Sequence, residues 1–176
     1  MKAVFLDRDG VINRAVVKNG RPYPPSSLDE LEILPGVKAA LESLHKAGYL
    51  LIVVTNQPDV ARGKASKATV DEIHQYMMAS FPLDKILSCF HDDADRCNCR
   101  KPKPGALLNA AEEYKLDLSA CYMIGDRWRD IESGVSAGCK TIFLDYGYSE
   151  KQPNSLDFRV RSLSEATNII LGENPC

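Results

Sequence analysis

The chain has 176 residues, which suits a single domain over 1–176 and hardly two. Its composition, 44% hydrophobic and 26% charged, is ordinary for a globular protein, and a net charge of -2 gives no general attraction to nucleic acid or acidic membranes. No stretch approaches the ~20 apolar residues of a membrane span and the N-terminus lacks a signal-peptide segment, so we expect a cytoplasmic protein, monomeric or weakly oligomeric.

Short apolar runs alternate with segments of helical period along the chain. In chain order these patterns predict a strand at 2–6, a helix from 37 to Gly48, a strand at 49–55, a helix beginning at Ser66 or Thr69 and reaching 81, a strand at 85–89, a helix opened by Pro104, a strand at 122–124, a helix ending at Gly138, a strand at 140–144 and a closing helix at 162–171. This alternation predicts an α/β fold, a doubly wound parallel sheet with helices on both faces.

One connecting segment, Asn13–Leu31, is longer than an ordinary strand-to-helix loop and contains Pro22, Pro24 and Pro25. Long loops in compact domains are usually functional or disordered, and this one leaves the sheet at the edge where ligands bind. The polar segment Gly147–Leu156 is also predicted as a loop.

Four polar signals fall at the carboxyl ends of predicted strands, where open α/β sheets bind their ligands. They are Asp7 with Asp9, Thr55 with Asn56 and Gln57, Lys101, and Asp126 with Asp130. Each alone is typical of a turn, a helix cap or a solvated side chain. Together, three acidic groups that converge on one edge need a cation, and oxygen ligands suit Mg²⁺. A lysine and a threonine beside that cation indicate a phosphoryl group as the ligand.

These residue types fit phosphoryl transfer, which needs a nucleophile, neutralised phosphate oxygens and a proton for the leaving oxygen. Asp7 lies at the rigid end of a strand and is the better candidate for the attack, because a carboxylate can form a covalent intermediate. Asp9 can protonate the leaving group as general acid and then act as base toward water. Gly10 would let the backbone turn tightly beside the phosphate.

The segments DRDG, VVTNQ, RKPKPG and IGDRWRD, in that order, resemble the four motifs of the haloacid dehalogenase-like phosphatases. The resemblance covers most of the chain and implies a Rossmann-like strand order of 3-2-1-4-5. No large cap domain fits between the motifs, so the loops at 13–31 and 92–100 would provide specificity. The implied roles are Asp7 as nucleophile, Asp9 as acid and base, Thr55 and Lys101 as phosphoryl contacts, Asp7, Asp126 and the carbonyl of Asp9 as magnesium ligands, and Asp130 as a supporting carboxylate.

A second metal site is indicated by Cys89, His91, Cys97 and Cys99. Three thiols and an imidazole match the ligand set of structural zinc, although the C-x-H and C-x-C spacing fits buried free thiols equally well. Because no open coordination position is implied, this Zn²⁺ would be structural. The pinned loop would also fix the following cations, Arg100-Lys101, at the rim of the active site.

The remaining thiols and imidazoles have plainer interpretations. Cys121 and Cys139 are predicted in the core and Cys176 in the tail. His45 and His74 are predicted as surface or core side chains rather than metal ligands.

Within the family, the zinc loop, the TNQ triplet and Ala61-Arg62-Gly63-Lys64 are similar to the D-glycero-D-manno-heptose 1,7-bisphosphate 7-phosphatases, and histidinol-phosphate phosphatases share the framework. The resemblance implies a small sugar bisphosphate as substrate. Its implied substrate contacts are Asn56, Gln57, Arg62, Arg100 and Arg127. Pro58-Asp59-Val60 departs from the Ser-Gly-Ile usual in the heptose enzymes and brings an extra negative charge near an anionic substrate.

Three classes of protein compete with this interpretation. A receiver-type signalling domain carries its phospho-acceptor after the third strand, and no Asp ends the strand at 85–89. A zinc-dependent nucleic-acid-binding module needs a basic surface with aromatic platforms, whereas this chain is slightly acidic and 7% aromatic. A catalytically silent phosphate-binding descendant remains, but no part of the motif set is missing to support it.

Overall fold

The computed structural model describes residues 1–172, and the prediction for Cys176 lies outside them. Within this range the chain forms eight strands: β1 Ala3–Leu6, β2 Val16–Lys18, β3 Arg21–Tyr23, β4 Leu50–Asn56, β5 Lys85–Cys89, β6 Tyr122–Gly125, β7 Lys140–Leu144 and β8 Phe158–Val160. It also forms five α-helices: α1 Val37–Lys46, α2 Lys67–Ser80, α3 Gly105–Tyr114, α4 Trp128–Ala137 and α5 Leu163–Leu171. Every strand and helix predicted from the sequence is present.

Six strands form one parallel sheet in the order β5-β4-β1-β6-β7-β8. The first five positions reproduce the 3-2-1-4-5 order, so the doubly wound α/β fold is confirmed. The short strand β8 was not predicted and adds at the edge beside β7. The chain runs outward from β1 to β5 and then returns to β6 on the other side of β1. Ligands of such sheets bind where the order reverses, which here is the carboxyl end of β1 and β6.

The central strand β1 shows how the sheet is buried on both faces. Val4 and Leu6 belong to the core shared with α1, α2 and α5, whereas Ala3 and Phe5 belong to the core shared with α3 and α4. Successive side chains of a strand point to opposite faces, so all four are buried. Full burial of a Val, Leu or Phe side chain contributes about 1.5–3 kcal/mol.

Helix ends follow local chemistry. The Ser66 hydroxyl accepts a hydrogen bond from the Thr69 amide at 3.1 Å and caps α2. Gly138 ends α4 with a φ of +84°, a left-handed conformation that glycine adopts without strain. Within residues 1–172 no helix combines the length and apolar character needed to span a bilayer.

The long segment 13–31 contains a hairpin that the sequence pattern did not predict. β2 and β3 are antiparallel and are joined by Asn19-Gly20, whose φ angles are +52° and +73°. Asn-Gly is a strong hairpin signal, but the flanking strands are short and lack clear alternation of apolar and polar residues. The Ser149 amide donates to the Gly20 carbonyl at 2.8 Å, so the hairpin tip contacts the loop that follows β7.

Candidate active site

Three carboxylates meet at the carboxyl edge of the sheet. Asp7 follows β1, Asp126 follows β6, and Asp130 lies in the first turn of α4. One oxygen of each carboxylate lies within 4.8 Å of the other two, and all three residues are buried. The parallel sheet therefore assembles acidic groups from distant parts of the chain at one point.

Lys101 supplies positive charge within this group. Its Nζ lies 2.8 Å from Asp7 Oδ1, 2.6 Å from Asp130 Oδ1 and 2.6 Å from the Val54 carbonyl oxygen. Although burial disfavours the charge, Asp130 and Asp7 raise the pKa of Lys101 above its usual value. The Asn56 amide accepts from the Lys101 backbone N–H at 3.1 Å and donates to the Lys101 carbonyl at 3.0 Å, which orders the lysine backbone.

The single positive charge of Lys101 does not balance the three neighbouring carboxylates. Burial, and next the nearby Asp130, raise the pKa of Asp7 to about 7. Burial, and next Asp7, raise the pKa of Asp126 well above its usual value. Asp126 Oδ1 is buried and has no hydrogen-bond partner among residues 1–172. An orphaned carboxylate oxygen beside two further carboxylates is a donor set for a hard divalent cation, so these residues fit Mg²⁺.

Gly10 approaches Asp126 directly, whereas Thr55 is linked to Asp9 through the Gln57 amide. Thr55 lies one residue before the end of β4, and its hydroxyl accepts a hydrogen bond from Gln57 Nε2 at 2.9 Å. Gly10 has a φ of +88°, and a Cβ atom at this position would lie 1.9 Å from Asp126 Oδ2. Glycine is therefore what allows the DRDG loop to approach Asp126 this closely.

The Asp9 carboxylate is held by a separate buried network. Arg8 donates to both of its oxygens at 3.0 and 3.1 Å, and the amides of Asn13 and Gln57 donate at 3.0 and 2.9 Å. Burial favours the neutral form, but Arg8 and these hydrogen bonds lower the pKa of Asp9 overall. Burial, and next Arg8, lower the pKa of His74 to about 4, so the neutral imidazole can accept from Arg8 across 3.0 Å. No sequence pattern pointed to Arg8 or His74 as part of the site.

A cleft of about 250 Å³ opens beside the carboxylates, with Asp7, Asp9 and Lys101 in its lining. Arginines from four separate regions of the chain also line it: Arg21, Arg62, Arg100, Arg127 and Arg129. Arg21 comes from the β2–β3 hairpin and has no ion-pair partner among the residues that the structure describes. Residues of this hairpin line the cleft, so the long segment 13–31 borders it, as expected from the sequence.

Asp93 and Glu150 pair with three of these arginines. Asp93 Oδ1 lies 2.8 Å from Arg100 Nε and 3.4 Å from an Arg129 nitrogen. Glu150 pairs with Arg127, with the shortest separation 2.5 Å. A phosphate that binds Arg100 or Arg127 must therefore compete with, or add to, an existing carboxylate partner.

Arg62 links two loops at the rim. Its guanidinium donates to both oxygens of Asp92 at 2.6 and 2.8 Å, and Asp59 lies 3.5 Å away. The acidic residue at position 59 is thus partly compensated by an arginine of its own turn. The structure places Asn56 and Arg62 in the cleft lining, while Gln57 lies beneath it against Thr55 and Asp9.

The segment after β7, predicted only as a polar loop, contacts the site directly. We call residues 146–150 the aromatic strap. The Tyr146 hydroxyl donates to the Gly10 carbonyl at 2.8 Å, and the Tyr148 hydroxyl donates to Asp126 Oδ2 at 2.8 Å. Glu150, at the end of the strap, is the partner of Arg127 described above.

Cys89, His91, Cys97 and Cys99 converge at one point beside the cleft. Their sulfur atoms are 3.3, 3.5 and 3.7 Å apart, and His91 Nδ1 lies 3.5 Å from Cys89 Sγ and 3.4 Å from Cys99 Sγ. A zinc tetrahedron with Zn–S bonds of about 2.3 Å has sulfurs about 3.8 Å apart, so the donor set fits zinc. Cys121 and Cys139 are buried in the core, as predicted.

Comparison with known proteins identifies the family of this chain. A family model described as haloacid dehalogenase-like hydrolase matches residues 24–138. The D-glycero-beta-D-manno-heptose-1,7-bisphosphate 7-phosphatase of Escherichia coli (strain K12) is 34% identical, over 96% of this chain and 93% of that protein. The enzyme of the same name from Helicobacter pylori (strain ATCC 700392 / 26695) is 35% identical, over 88% of this chain and 89% of that protein.

A solved structure is similar over its full length. It is the D,D-heptose 1.7-bisphosphate phosphatase from B. bronchiseptica, complexed with magnesium and phosphate. Its TM-score to this chain is 0.84 at 31% sequence identity, and the match covers 99% of this chain and 100% of that one.

Proposed function

Because the chain belongs to the haloacid dehalogenase-like hydrolases, we propose that it is a magnesium-dependent phosphatase that removes the 7-phosphate of D-glycero-D-manno-heptose 1,7-bisphosphate. The observation that carries this proposal is the convergence of Asp7, Asp126, Asp130 and Lys101 beside an arginine-lined cleft. Asp7, Asp126 and the carbonyl of Asp9 would hold Mg²⁺, with Asp130 in support, and the bound ion would supply positive charge that favours ionised carboxylates and neutralises the phosphate.

Asp7 is the nucleophile of this reaction. Its carboxylate oxygen attacks the phosphorus of the 7-phosphate, the bond from phosphorus to the sugar oxygen breaks, and the phosphoryl group is left on Asp7. Lys101 holds Asp7 through its 2.8 Å contact and, with Thr55, binds oxygens of the phosphoryl group. Water then attacks the phosphorus and releases inorganic phosphate together with the free carboxylate.

Asp9 moves the proton in both steps. It donates a proton to the leaving sugar oxygen and later accepts one from the attacking water. In the structure Arg8 keeps the pKa of Asp9 low, which favours the carboxylate. A phosphate dianion bound beside Asp9 would raise that pKa, because neighbouring like charges disfavour ionisation. The proton needed by the leaving group is therefore acquired in the substrate complex.

The second phosphate of the substrate would lie among the arginines of the rim. Arg100 and Arg127 can each present a planar guanidinium to it, and Arg21 adds a cation that is free of ion pairs among residues 1–172. Asn56 and Arg62 order the groups around the phosphate, since the first binds the Lys101 backbone and the second joins two rim loops. Gln57 supports the site from below through its contact with Asp9.

We further propose that Cys89, His91, Cys97 and Cys99 hold a structural Zn²⁺. The four donor atoms lie around one point and would fill all four coordination positions of a tetrahedral zinc ion, so none is left for a substrate. The metal would pin the loop that carries Asp93 and Arg100 at the rim. Thiols that remain free of disulfides fit the reducing cytoplasm expected from the sequence.

The proposed function is tested by phosphate release with Mg²⁺ from heptose 1,7-bisphosphate, its two monophosphates and histidinol phosphate. We expect the highest kcat/KM for the bisphosphate, a product that retains the 1-phosphate, and loss of activity in EDTA. Asp7→Asn should be folded and inactive. Asp71→Asn, which changes a carboxylate on α2 outside the cleft, serves as the matched control.

Two results would contradict separate parts of the proposal. A higher kcat/KM for histidinol phosphate would overturn the substrate but leave the chemistry of Asp7 intact. Turnover by Asp7→Asn at a rate close to that of the unmodified protein would overturn the covalent mechanism.

A further inference from the structure

The aromatic strap contains a hydroxyl that contacts the magnesium site from outside the four motifs. We propose that Tyr148 is a positioning residue for the metal: its hydroxyl donates a hydrogen bond to one oxygen of Asp126 and thereby orients the other oxygen toward the cation. This inference rests on the proposed function, because it assumes that Asp126 binds Mg²⁺. It concerns a residue whose segment was predicted only as a polar loop.

The two oxygens of Asp126 have different surroundings. Oδ2 accepts the hydrogen bond from Tyr148 at 2.8 Å and faces the space left by the missing side chain of Gly10. Oδ1 is buried and lacks a hydrogen-bond partner within residues 1–172. A carboxylate can bind a cation through either oxygen or both, so a free side chain would sample several orientations. The Tyr148 hydrogen bond selects the orientation in which Oδ1 is available.

The strap is anchored independently of this hydrogen bond. The Tyr146 hydroxyl binds the Gly10 carbonyl at 2.8 Å, and the rings of Tyr146 and Tyr148 lie 5.7 Å apart. The Ser149 amide binds the Gly20 carbonyl at 2.8 Å, and Glu150 pairs with an arginine of α4's N-terminus. Removing only the Tyr148 hydroxyl should therefore leave the strap in place and change the Asp126 orientation alone.

The test is Tyr148→Phe, with Mn²⁺ as the metal probe in an electron paramagnetic resonance titration of the substrate-free protein. Loss of a residue that orients a metal ligand typically weakens metal binding 10- to 100-fold, so we expect the Mn²⁺ dissociation constant to rise by about that factor. In kinetics, the Mg²⁺ concentration for half-maximal activity should rise similarly, while kcat at saturating Mg²⁺ stays within about twofold, because mass action restores the bound state.

Tyr146→Phe is the matched control, because it removes a hydroxyl from the same strap whose acceptor is a backbone carbonyl. Its Mn²⁺ dissociation constant should equal that of the unmodified protein. An unchanged constant in Tyr148→Phe, an equal loss in both variants, or a fall in kcat at saturating Mg²⁺ without weaker binding would each overturn the proposal. The Mn²⁺ titration needs no substrate, so it tests the role of Tyr148 independently of activity. If Tyr148→Phe binds Mn²⁺ more weakly but the unmodified protein hydrolyses no phosphate ester, the proposed function is contradicted and the role of Tyr148 is not.

Discussion

Replacing Asp7 by asparagine is expected to stabilise the metal-free protein at alkaline pH while it abolishes activity. Asp7 is buried among Asp126, Asp130 and Lys101, and its carboxylate is not fully compensated. Burial, and next Asp130, raise its pKa from the usual 3.8 to about 7. In the unfolded chain these neighbours are gone, and the pKa returns to roughly its usual value near 4.

The sign and size of the effect follow from this difference in pKa. Between about pH 4 and pH 7 the folded state keeps a proton that the unfolded state releases, so the stability associated with Asp7 is complete at low pH and is lost as the pH rises. One pKa unit corresponds to about 1.36 kcal/mol, so a shift of about three units costs the folded protein up to ~4 kcal/mol above about pH 8. Asparagine has nearly the same shape and stays neutral, so Asp7→Asn avoids this cost.

The assay is urea unfolding in EDTA of the unmodified protein and of Asp7→Asn, each at about pH 5 and about pH 8. The free energy of unfolding of the variant, relative to that of the unmodified protein, should rise by roughly 2–3 kcal/mol from the lower pH to the higher. Other titrating groups are common to both proteins and cancel in this double difference. Added Mg²⁺ should raise the stability of the unmodified protein at the higher pH more than that of the variant. An identical pH dependence of the two proteins would refute the claim that the carboxylates lie in one buried, undercompensated group.

Three further predictions concern other parts of the site. Asp9→Asn should lower kcat at least ~100-fold, while metal binding, followed by the Mg²⁺-dependent melting temperature, is retained through the unchanged backbone carbonyl; near-normal turnover would remove Asp9 as the acid. Arg21→Ala should raise KM for the bisphosphate by about tenfold and leave KM for the 7-monophosphate unchanged, whereas Lys18→Ala, its cross-strand neighbour outside the cleft lining, should change neither. Cys97→Ser should reduce zinc content, measured by elemental analysis, from about one ion per chain and lower the melting temperature; an equal zinc content would refute the site.

The motifs could be predicted because their chemistry is local to the ends of regular elements. Apolar runs predicted five of the six strands of the parallel sheet, and Asp7 and Asp126 follow two of them directly. Parallel strands place their carboxyl ends at one edge, so the meeting of these residues with Lys101 followed from the fold class. The cluster of three thiols and one imidazole was predicted for a similar reason, since all four residues lie within one short segment.

Other features had no local signal strong enough to predict them. The strands β2, β3 and β8 have three residues each, too few to show a hydrophobic period. Arg8 had no predicted role, and His74 was predicted only as a surface or core side chain, yet the two form a buried pair behind Asp9. Their roles depend on a contact between residues far apart in the chain.

Hydrophobic period and short-range spacing can be read along the chain, so they were enough to predict the five longer strands, the five helices, the doubly wound sheet and the candidate acidic, basic and thiol groups. The pairing of each charged or polar side chain with its partner depends on the three-dimensional fold. The strap residue Tyr148 reaches Asp126, Glu150 reaches Arg127, and Asp93 reaches Arg100 because folding brings their loops together at one rim. Hydrogen bonds and ion pairs act over a few ångströms in space, and separation along the chain does not encode that distance.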